Sequence, residues 1–268
     1  MNVLMPEWRL PPEDLVLLPH EIHIWQAPLH QHAAQVEQLT QLLSEEEQAR
    51  AARLRRERDR LQFIISRGLL RVVLGRYLAI APREVEFGYG AYGKPFVIKS
   101  PELQFNTSHT HDLALYAIGR DRPVGIDVEY TRRPLADMEQ LTQRFFSKRE
   151  HATLLALPAH QRVKAFFRGW TCKEAYLKAI GTGLSQLDQV EVALTPDMPA
   201  KLILAAESLP PEAKENSGEN SEGSPGEISP AQWWLCTLEP QPDYVAALVG
   251  AIAEASSVPH LHYWRAEV

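Results

Sequence analysis

A short acidic segment of the chain has the residue types and spacing of a metal site. Asp127 and Glu129 lie in the run Val124-Gly-Ile-Asp-Val-Glu129, which alternates as a β-strand does. Side chains two positions apart on a strand share a face, so the two carboxylates should lie about 7 Å apart. Carboxylates this close repel each other unless a cation lies between them, and oxygen ligands suit Mg²⁺. The alternative is a solvent-facing edge strand.

A third carboxylate, Glu174, falls on the apolar face of a predicted helix. That face is formed by the side chains of Val163, Phe166, Phe167, Trp170, Leu177 and Ile180. A carboxylate on such a face is costly without a partner. The partner is either Lys178, four residues further along the helix, or a metal ion shared with Asp127 and Glu129. Gly181 and Gly183 end this helix.

A glycine-rich turn, residues 88–94, ends in Gly93-Lys94-Pro95 and partly matches two nucleotide-binding motifs. Both motifs need a helix directly after the glycines, because the helix N-terminus holds the phosphate. Here Pro95 and the following Phe-Val-Ile predict a strand, which argues against a dinucleotide fold or a P-loop. Lys94 is then either an ordinary surface lysine or a phosphate contact.

The segment Phe105-Asn-Thr-Ser-His-Thr110 ends a predicted strand and is dense in small polar groups. His109 and His111 would suit a zinc pair, but no HExxH motif accompanies them. Ser108 lacks the GxSxG frame of a nucleophile elbow. Hydrogen bonding to an anionic ligand is the better interpretation of Ser108 and His109.

The elements around these motifs predict a mixed fold. Ser44 and Glu47 form a capping box, and a long helical pattern follows until Ala81-Pro82. Its first part carries six arginines, which form either a solvated helix face or an anion site. These arginines are at positions 50, 53, 55, 56, 58 and 60.

The remaining pattern suggests a duplicated unit. Strands are predicted at 21–25, 85–87, 96–98, 113–118 and 124–129, and helices within 139–183. Core patterns resume at 233–238 and 244–253. The strand-and-helix order is roughly the same in the two halves. Residues 212–229 are almost free of apolar side chains and predict a mobile insertion.

Composition excludes several classes of protein. The net charge of −6 argues against a nucleic-acid coat protein. The two cysteines, Cys172 and Cys236, form no CxxC pair, which argues against a disulfide scaffold or a cysteine zinc site. No apolar run reaches the length of a membrane span, and the first residues lack the pattern of a signal peptide. We therefore expect a cytoplasmic protein with neither nucleic acid nor membrane as a partner.

Taken together, four blocks resemble the 4'-phosphopantetheinyl transferases, specifically the larger surfactin type. The blocks are Gly93-Lys94-Pro95; Phe105, Asn106, Ser108 and His109; Gly125-Ile126-Asp127 with Glu129; and Trp170, Lys173-Glu174-Ala175 and Lys178 followed by Gly181 and Gly183. They span residues 93–183 in the family's order, and the arginine-rich helix extends the resemblance to about residue 50.

The resemblance implies an α+β fold of two similar halves related by pseudo-two-fold symmetry. The N-terminal half would be residues 1–121 and the C-terminal half residues 122–268. It also implies Mg²⁺-dependent transfer of the phosphopantetheine arm from coenzyme A to a serine of a carrier protein, with release of adenosine 3',5'-bisphosphate. The expected partner is an apo acyl, peptidyl or polyketide carrier, and the enzyme is expected to be a monomer.

The resemblance further assigns roles to single residues. Asp127, Glu129 and Glu174 match the ligands of Mg²⁺, for which Mn²⁺ is an alternative. The implied contacts of coenzyme A are Arg58 at the 3'-phosphate, Gly93, Lys94, Pro95, Ser108, His109 and Lys178. The implied catalytic residues are Asp127, Glu174 and Lys178, with Glu174 either the base for the serine proton or a metal ligand only. Two alternative functions are a noncatalytic coenzyme A-binding protein and a coenzyme A pyrophosphate hydrolase.

Overall fold

Two main sheets, each covered by a long helix, organise the described part of the chain. The computed structural model describes residues 4–135, 137–194, 200–203, 233–252 and 258–268. The insertion predicted at 212–229 lies outside the described residues.

The first sheet is formed by the N-terminal half of the chain. Its elements are β1 (Glu21–Pro28), α1 (Val36–Leu42), α2 (Glu45–Arg53), α3 (Glu57–Leu78), β2 (Phe87–Tyr89), β3 (Pro95–Val97), β4 (Leu103–Thr110) and β5 (Leu113–Arg120). Strand β5 pairs antiparallel with both β1 and β4. β2 and β3 form a separate small hairpin.

The second sheet repeats this plan. Its elements are β6 (Val124–Tyr130), α4 (Met138–Phe145), α5 (Lys148–Ala156), α6 (Ala159–Ile180), β7 (Trp233–Leu238) and β8 (Tyr244–Ala251). Strand β8 pairs with both β6 and β7, as β5 does with β1 and β4. Both long helices, α3 and α6, have 22 residues. The predicted α+β fold of two similar halves is therefore confirmed.

One strand crosses between the proposed halves. The last strand, β9 (His260–Arg265), lies parallel to β1 at the outer edge of the first sheet. No strand was predicted at β9, and its pairing places the last described residues against the N-terminal sheet. The division of the chain between residues 121 and 122 remains a proposal. With that division, one strand of the C-terminal half completes the sheet of the N-terminal half.

The long helical pattern predicted after Ser44 consists of two helices. The capping box of Ser44 and Glu47 is present as predicted and begins α2. The backbone is extended at Leu54 and again at Arg56, so α3 begins as a new helix at Glu57. This break changes the direction in which the arginines on either side of it point.

Both long helices are held by a buried acid from a capping box. Glu47 of α2 accepts from the guanidinium of Arg71 on α3, at 2.7 Å between Oε2 and Nε. In the second half, Glu150 of α5 accepts from the ammonium of Lys173 on α6, at 2.6 Å between Oε2 and Nζ. Because the two pairs occupy corresponding places, the duplication extends to individual side chains.

In the part of the chain that the structure describes, the apolar core has three parts. Buried side chains of α3, such as Leu69 and Leu74, pack with Phe105 and Tyr116 on one face of the first sheet. Phe166 and other side chains of α6 pack on the second sheet. The third part lies between the inner faces of the two sheets. Among the helices of the described residues, none has the length and apolar character needed to cross a membrane.

Candidate functional site

The two sheets meet where side chains of β4 bind the backbone of β6. The backbone N–H of Ile126 donates to Oδ1 of Asn106 at 2.8 Å, and that of Val128 donates to Oγ of Ser108 at 3.3 Å. Asn106 and Ser108 are two residues apart on β4, and so are Ile126 and Val128 on β6. The spacings match because side chains on one face of a strand recur every two residues. This matching explains the spacing of Asn106 and Ser108, and it gives Ser108 a structural role beside its predicted ligand contact.

The strand β6 faces α6 with its small and acidic side chains, as its alternation predicted. Val124, Ile126 and Val128 pack in the core between the sheets. On the other face, a Cβ atom at Gly125 would lie 2.0 Å from the carbonyl oxygen of Ala175. Only glycine permits this approach, which brings α6 close to the carboxylate of Asp127.

Asp127 and Lys178 form the centre of the site. Oδ1 of Asp127 accepts from Nζ of Lys178 at 2.6 Å and from the hydroxyl of Ser108 at 2.8 Å. The Lys178 ammonium also lies 3.1 Å from Oγ of Ser108 and 3.8 Å from Oε2 of Glu174. Residues from β4, β6 and α6 thus converge on one point.

The other two carboxylates are held in an environment that disfavours their charge. Burial and the neighbouring Asp127 carboxylate raise the pKa of Glu129 to about 7, although Arg133 lies 3.0 Å from it. Burial, followed by Asp127, also raises the pKa of Glu174 to about 7, against the opposing effect of Lys178. The acids are therefore close enough to repel one another, and the local positive charge does not compensate for them.

The donor set fits a divalent hard cation. Asp127 is only 3% exposed, yet its second oxygen, Oδ2, has no hydrogen-bond partner among the described residues. A buried carboxylate oxygen without a donor is costly and suggests a missing partner. Three converging carboxylates also provide the all-oxygen ligands that Mg²⁺ and Mn²⁺ prefer. The residues predicted as metal ligands are thus brought together, and their assignment as ligands remains a proposal.

A cavity of about 410 Å³ opens beside this point, between α2, α3 and β4. Gly93, Pro95, Ser108 and His109, all predicted to contact the ligand, line it. Its basic side chains are Arg50, Arg53 and Arg67. Since Ser108 also binds Asp127, the cavity and the carboxylates share a wall. Arg67 lies outside the cluster of arginines at positions 50–60. Only its helical spacing from that cluster could have indicated that it lines the same cavity.

His109 at the cavity wall is a neutral hydrogen-bonding group. Loss of solvent around the ring, then the charges of Lys178 and Arg50, lower the pKa of His109. At neutral pH the imidazole therefore offers one N–H donor and one acceptor. Which ring nitrogen of His109 carries the proton depends on the group that it hydrogen-bonds in the cavity.

Two predicted ligand contacts lie elsewhere. Lys94 does not line the cavity, because its ammonium donates to the carbonyls of Ala179 at 2.8 Å and Val124 at 3.2 Å. Its burial lowers the pKa of Lys94 to about 8. Arg58 also points away from the cavity and lies 3.4 Å from Asp112 on the protein surface. The arginines that line the cavity are thus Arg50, Arg53 and Arg67, and the role of Arg58 at the 3'-phosphate remains a proposal.

Comparison with known proteins identifies the family. Residues 123–248 match the family model of the 4'-phosphopantetheinyl transferase superfamily, and residues 25–119 match the model of the 4'-phosphopantetheinyl transferase N-terminal region. The chain is 46% identical over 206 residues to the 4'-phosphopantetheinyl transferase HetI of Nostoc sp., which covers 76% of this chain and 86% of that protein. The chain belongs to the 4'-phosphopantetheinyl transferase family.

Other relatives carry the same description. The 4'-phosphopantetheinyl transferase Sfp of Bacillus subtilis is 31% identical over 162 residues, which cover 60% of this chain and 70% of that protein. The enzyme psf-1 of Bacillus pumilus is 34% identical over 177 residues, which cover 66% of this chain and 74% of that protein. The resemblance found in the sequence motifs is therefore confirmed, and the chain is a 4'-phosphopantetheinyl transferase.

Proposed function

We propose that this transferase moves the phosphopantetheine arm of coenzyme A to a serine hydroxyl of an apo carrier protein, with Mg²⁺ held by Asp127, Glu129 and Glu174. The observation that carries the proposal is the shared wall between the arginine-lined cavity and the carboxylate cluster. Ser108 lines the cavity and donates to Asp127 at 2.8 Å. A ligand with several phosphates can therefore extend from the arginines to the carboxylates.

The cavity has the charge and hydrogen-bonding groups to bind the nucleotide end of coenzyme A. Arg50 and Arg53 suit the 3'-phosphate, because guanidinium groups bind phosphate oxygens through paired N–H donors, whereas Arg67 donates to Glu47 and Tyr89. The neutral His109 adds a donor without adding charge. The backbone around Gly93, where φ is +79°, leaves space for a ligand at the turn.

The pyrophosphate of coenzyme A belongs next to Lys178. Its ammonium lies between Ser108 and Asp127, at the junction of the cavity and the carboxylates. When bound by the three carboxylates, Mg²⁺ would supply positive charge for the pyrophosphate oxygens. Lys178 supplies a second fixed positive charge, and such positioned charges are the main source of catalysis in phosphoryl transfer.

The transfer needs an acceptor for the serine proton. The serine oxygen forms a bond to the β-phosphorus, the bond from that phosphorus to the bridging oxygen breaks, and adenosine 3',5'-bisphosphate leaves. In the metal-free site the pKa of Glu174 is raised to about 7, so a Glu174 carboxylate that does not bind Mg²⁺ is suited to take the serine proton. Glu174→Gln separates this role from metal binding: loss of rate at unchanged Mg²⁺ affinity assigns it as the base, whereas a parallel loss of both assigns it as a ligand.

The proposal is tested by intact-mass spectrometry of an apo carrier protein incubated with this enzyme, coenzyme A and Mg²⁺. We expect the carrier to gain the mass of one phosphopantetheine arm, and EDTA to prevent the gain. Consumption of coenzyme A without modification of an acyl or a peptidyl carrier would support the hydrolase instead. Bound coenzyme A that is neither consumed nor transferred would support the binding protein.

We expect Arg50→Ala to raise the KM for coenzyme A on the order of ten-fold or more, because a charge-assisted hydrogen bond contributes about 1.5–3 kcal/mol. Arg50 lines the cavity. The matched control is Arg58→Ala, since Arg58 belongs to the same arginine cluster but lies outside the cavity beside Asp112. Steady-state kinetics with varied coenzyme A measure both. An effect confined to Arg58→Ala would assign the 3'-phosphate contact to Arg58 instead.

Mg²⁺ should bind more weakly as the pH falls, by at least about ten-fold between pH 8 and pH 6, because protons compete for its ligands. The pKa of both Glu129 and Glu174 is raised to about 7, so both are largely protonated at pH 6. Without Mg²⁺, carboxyls with a raised pKa stabilise the fold most below their ordinary pKa, and this contribution is lost as the pH rises through about 7.

The measurement is the Mg²⁺-induced increase in Tm and the Mg²⁺ affinity by calorimetry, each at pH 6 and pH 8. The Tm increase should be larger at pH 8. An Mg²⁺ affinity that does not change with pH would mean that these two carboxylates are not its ligands.

A further inference from the structure

A cluster of metal-ligating side chains lies outside the carboxylate site, at the outer edge of the first sheet. Glu21 and His23 are two residues apart on β1 and therefore share a face. His262 lies directly opposite His23 on β9 in the parallel register. The three side chains are thus placed together by strand pairing alone, although 241 positions separate Glu21 from His262.

The distances within the cluster suit a small tetrahedral cation. Nε2 of His23 lies 3.3 Å from Oε2 of Glu21, and Nε2 of His262 lies 3.2 Å from Oε1 of Glu21. One ligand atom from each residue can be chosen so that all three lie within 4.8 Å of one another. For zinc–ligand bonds of about 2.0–2.1 Å, neighbouring ligand atoms of a tetrahedron are about 3.3 Å apart. Only small movements are needed to place the ligands around such an ion.

The ring of His23 is already oriented by a second layer of contacts. Nδ1 of His23 lies 2.8 Å from the hydroxyl of Tyr77 on α3, and the indole N–H of Trp25 donates to that hydroxyl at 2.8 Å. With a metal ion on Nε2, the His23 Nδ1–H would donate to the Tyr77 oxygen. Metal-bound histidines commonly have such an outer partner, which fixes the ring and its tautomer.

The cluster is open on one side. The side chain of His23 is 2% exposed and that of Glu21 12% exposed, but that of His262 is 40% exposed. An ion bound here would keep one position accessible to water. The cluster also corresponds in position to the carboxylates of the second half, because β1 occupies the place of β6 and α3 the place of α6.

We propose that Glu21, His23 and His262 form a second metal site, selective for Zn²⁺ or a similar borderline cation. Two imidazoles and one carboxylate are a common zinc set, whereas Mg²⁺ prefers oxygen ligands and so remains at Asp127, Glu129 and Glu174. The ion would connect β1 to β9 and hold the end of the chain on the N-terminal sheet. This site is independent of the proposed transfer reaction.

The test is Zn²⁺ binding to the untagged full-length protein in excess Mg²⁺, measured by equilibrium dialysis and calorimetry. We expect His262→Ala to weaken the binding of one Zn²⁺ by at least about ten-fold, since even the loss of an outer partner costs that much. Glu21→Gln should have a similar effect. The matched control is His260→Ala, because His260 lies on the same strand and face, opposite Glu21, but outside the cluster.

Two further readouts separate this site from the catalytic one. Zn²⁺ should slow amide hydrogen exchange in β9 of the unmodified protein but not of His262→Ala. Transfer activity in Mg²⁺ should be the same for both proteins, because His262 lies in neither the cavity nor the carboxylate cluster. Equal Zn²⁺ affinity of His262→Ala and the unmodified protein, or no Zn²⁺ bound in excess Mg²⁺, would overturn the proposal.

Discussion

Asp127→Asn should lower the rate of arm transfer by about 10²–10³-fold or more while the protein stays folded, since loss of one positioned electrostatic group at a reacting centre has an effect of that size. Asp127 accepts from both Lys178 and Ser108 and is part of the proposed ligand set. Its charge also contributes to the raised pKa of Glu129 and of Glu174. Without that charge both carboxylates should ionise at lower pH, so the Mg²⁺-free variant should be at least as stable as the original protein.

The same variant should lose most of the increase in Tm that Mg²⁺ causes. Intact-mass spectrometry of the carrier measures transfer, and thermal unfolding with and without Mg²⁺ measures the site. Asp121→Asn is the control, since Asp121 is exposed in the turn before β6 and its φ of +59° is one that asparagine tolerates. Retained transfer in Asp127→Asn would remove Asp127 from the mechanism, and an unfolded variant would show that its role is structural.

The convergence of the carboxylates follows from local periodicity and was therefore predictable. Asp127 and Glu129 share a face because strands repeat every two residues, and Glu174 and Lys178 share a face because helices nearly repeat every four. Gly125 in the same motif identifies the face on which α6 lies. The sequence thus contained both the proposed ligands and the glycine that lets β6 and α6 approach each other.

The direction of single long side chains was not predictable from local patterns. The break at Leu54–Arg56 separates Arg53, in the cavity, from Arg58, on the surface, and no strong helix breaker stands at that point. The Lys94 side chain is long enough to reach either a ligand or the end of α6. In the structure, its ammonium donates to the carbonyl of Ala179 near the end of α6. Such choices depend on tertiary contacts rather than on residue type.

The pairing of β9 with β1 could not be predicted from the sequence either. The alternation in His260–Arg265 gives a strand but not its partner, and parallel pairing between distant segments has no turn to indicate it. As a result, histidines that look isolated in the sequence, such as His23 and His262, become neighbours only in the folded protein.

Lys173→Met should destabilise the protein by about 3–5 kcal/mol, because it leaves the buried carboxylate of Glu150 without its cation. Lys173 is 0% exposed and is enclosed by the Phe146 ring on one side and Glu150 on the other. It therefore belongs to the family motif for a structural reason: it fixes α5 to α6, as Arg71 fixes α2 to α3. Denaturant unfolding in Mg²⁺ measures the loss, and Lys173→Met/Glu150→Gln should recover a large part of it because the unpaired charge is removed.

Lys178→Met on the same helix is the matched control and should show the opposite pattern. Lys178 is partly exposed and lies 2.6 Å from Asp127 and 3.8 Å from Glu174, so in Mg²⁺ its loss should change stability little but lower transfer by about 10²-fold or more. Lys173→Met, assayed at a temperature where it is folded, should retain most of its transfer rate per folded molecule. If transfer by folded Lys173→Met fell as far as that of Lys178→Met, Lys173 would act in the chemistry and not through the Glu150 pair alone.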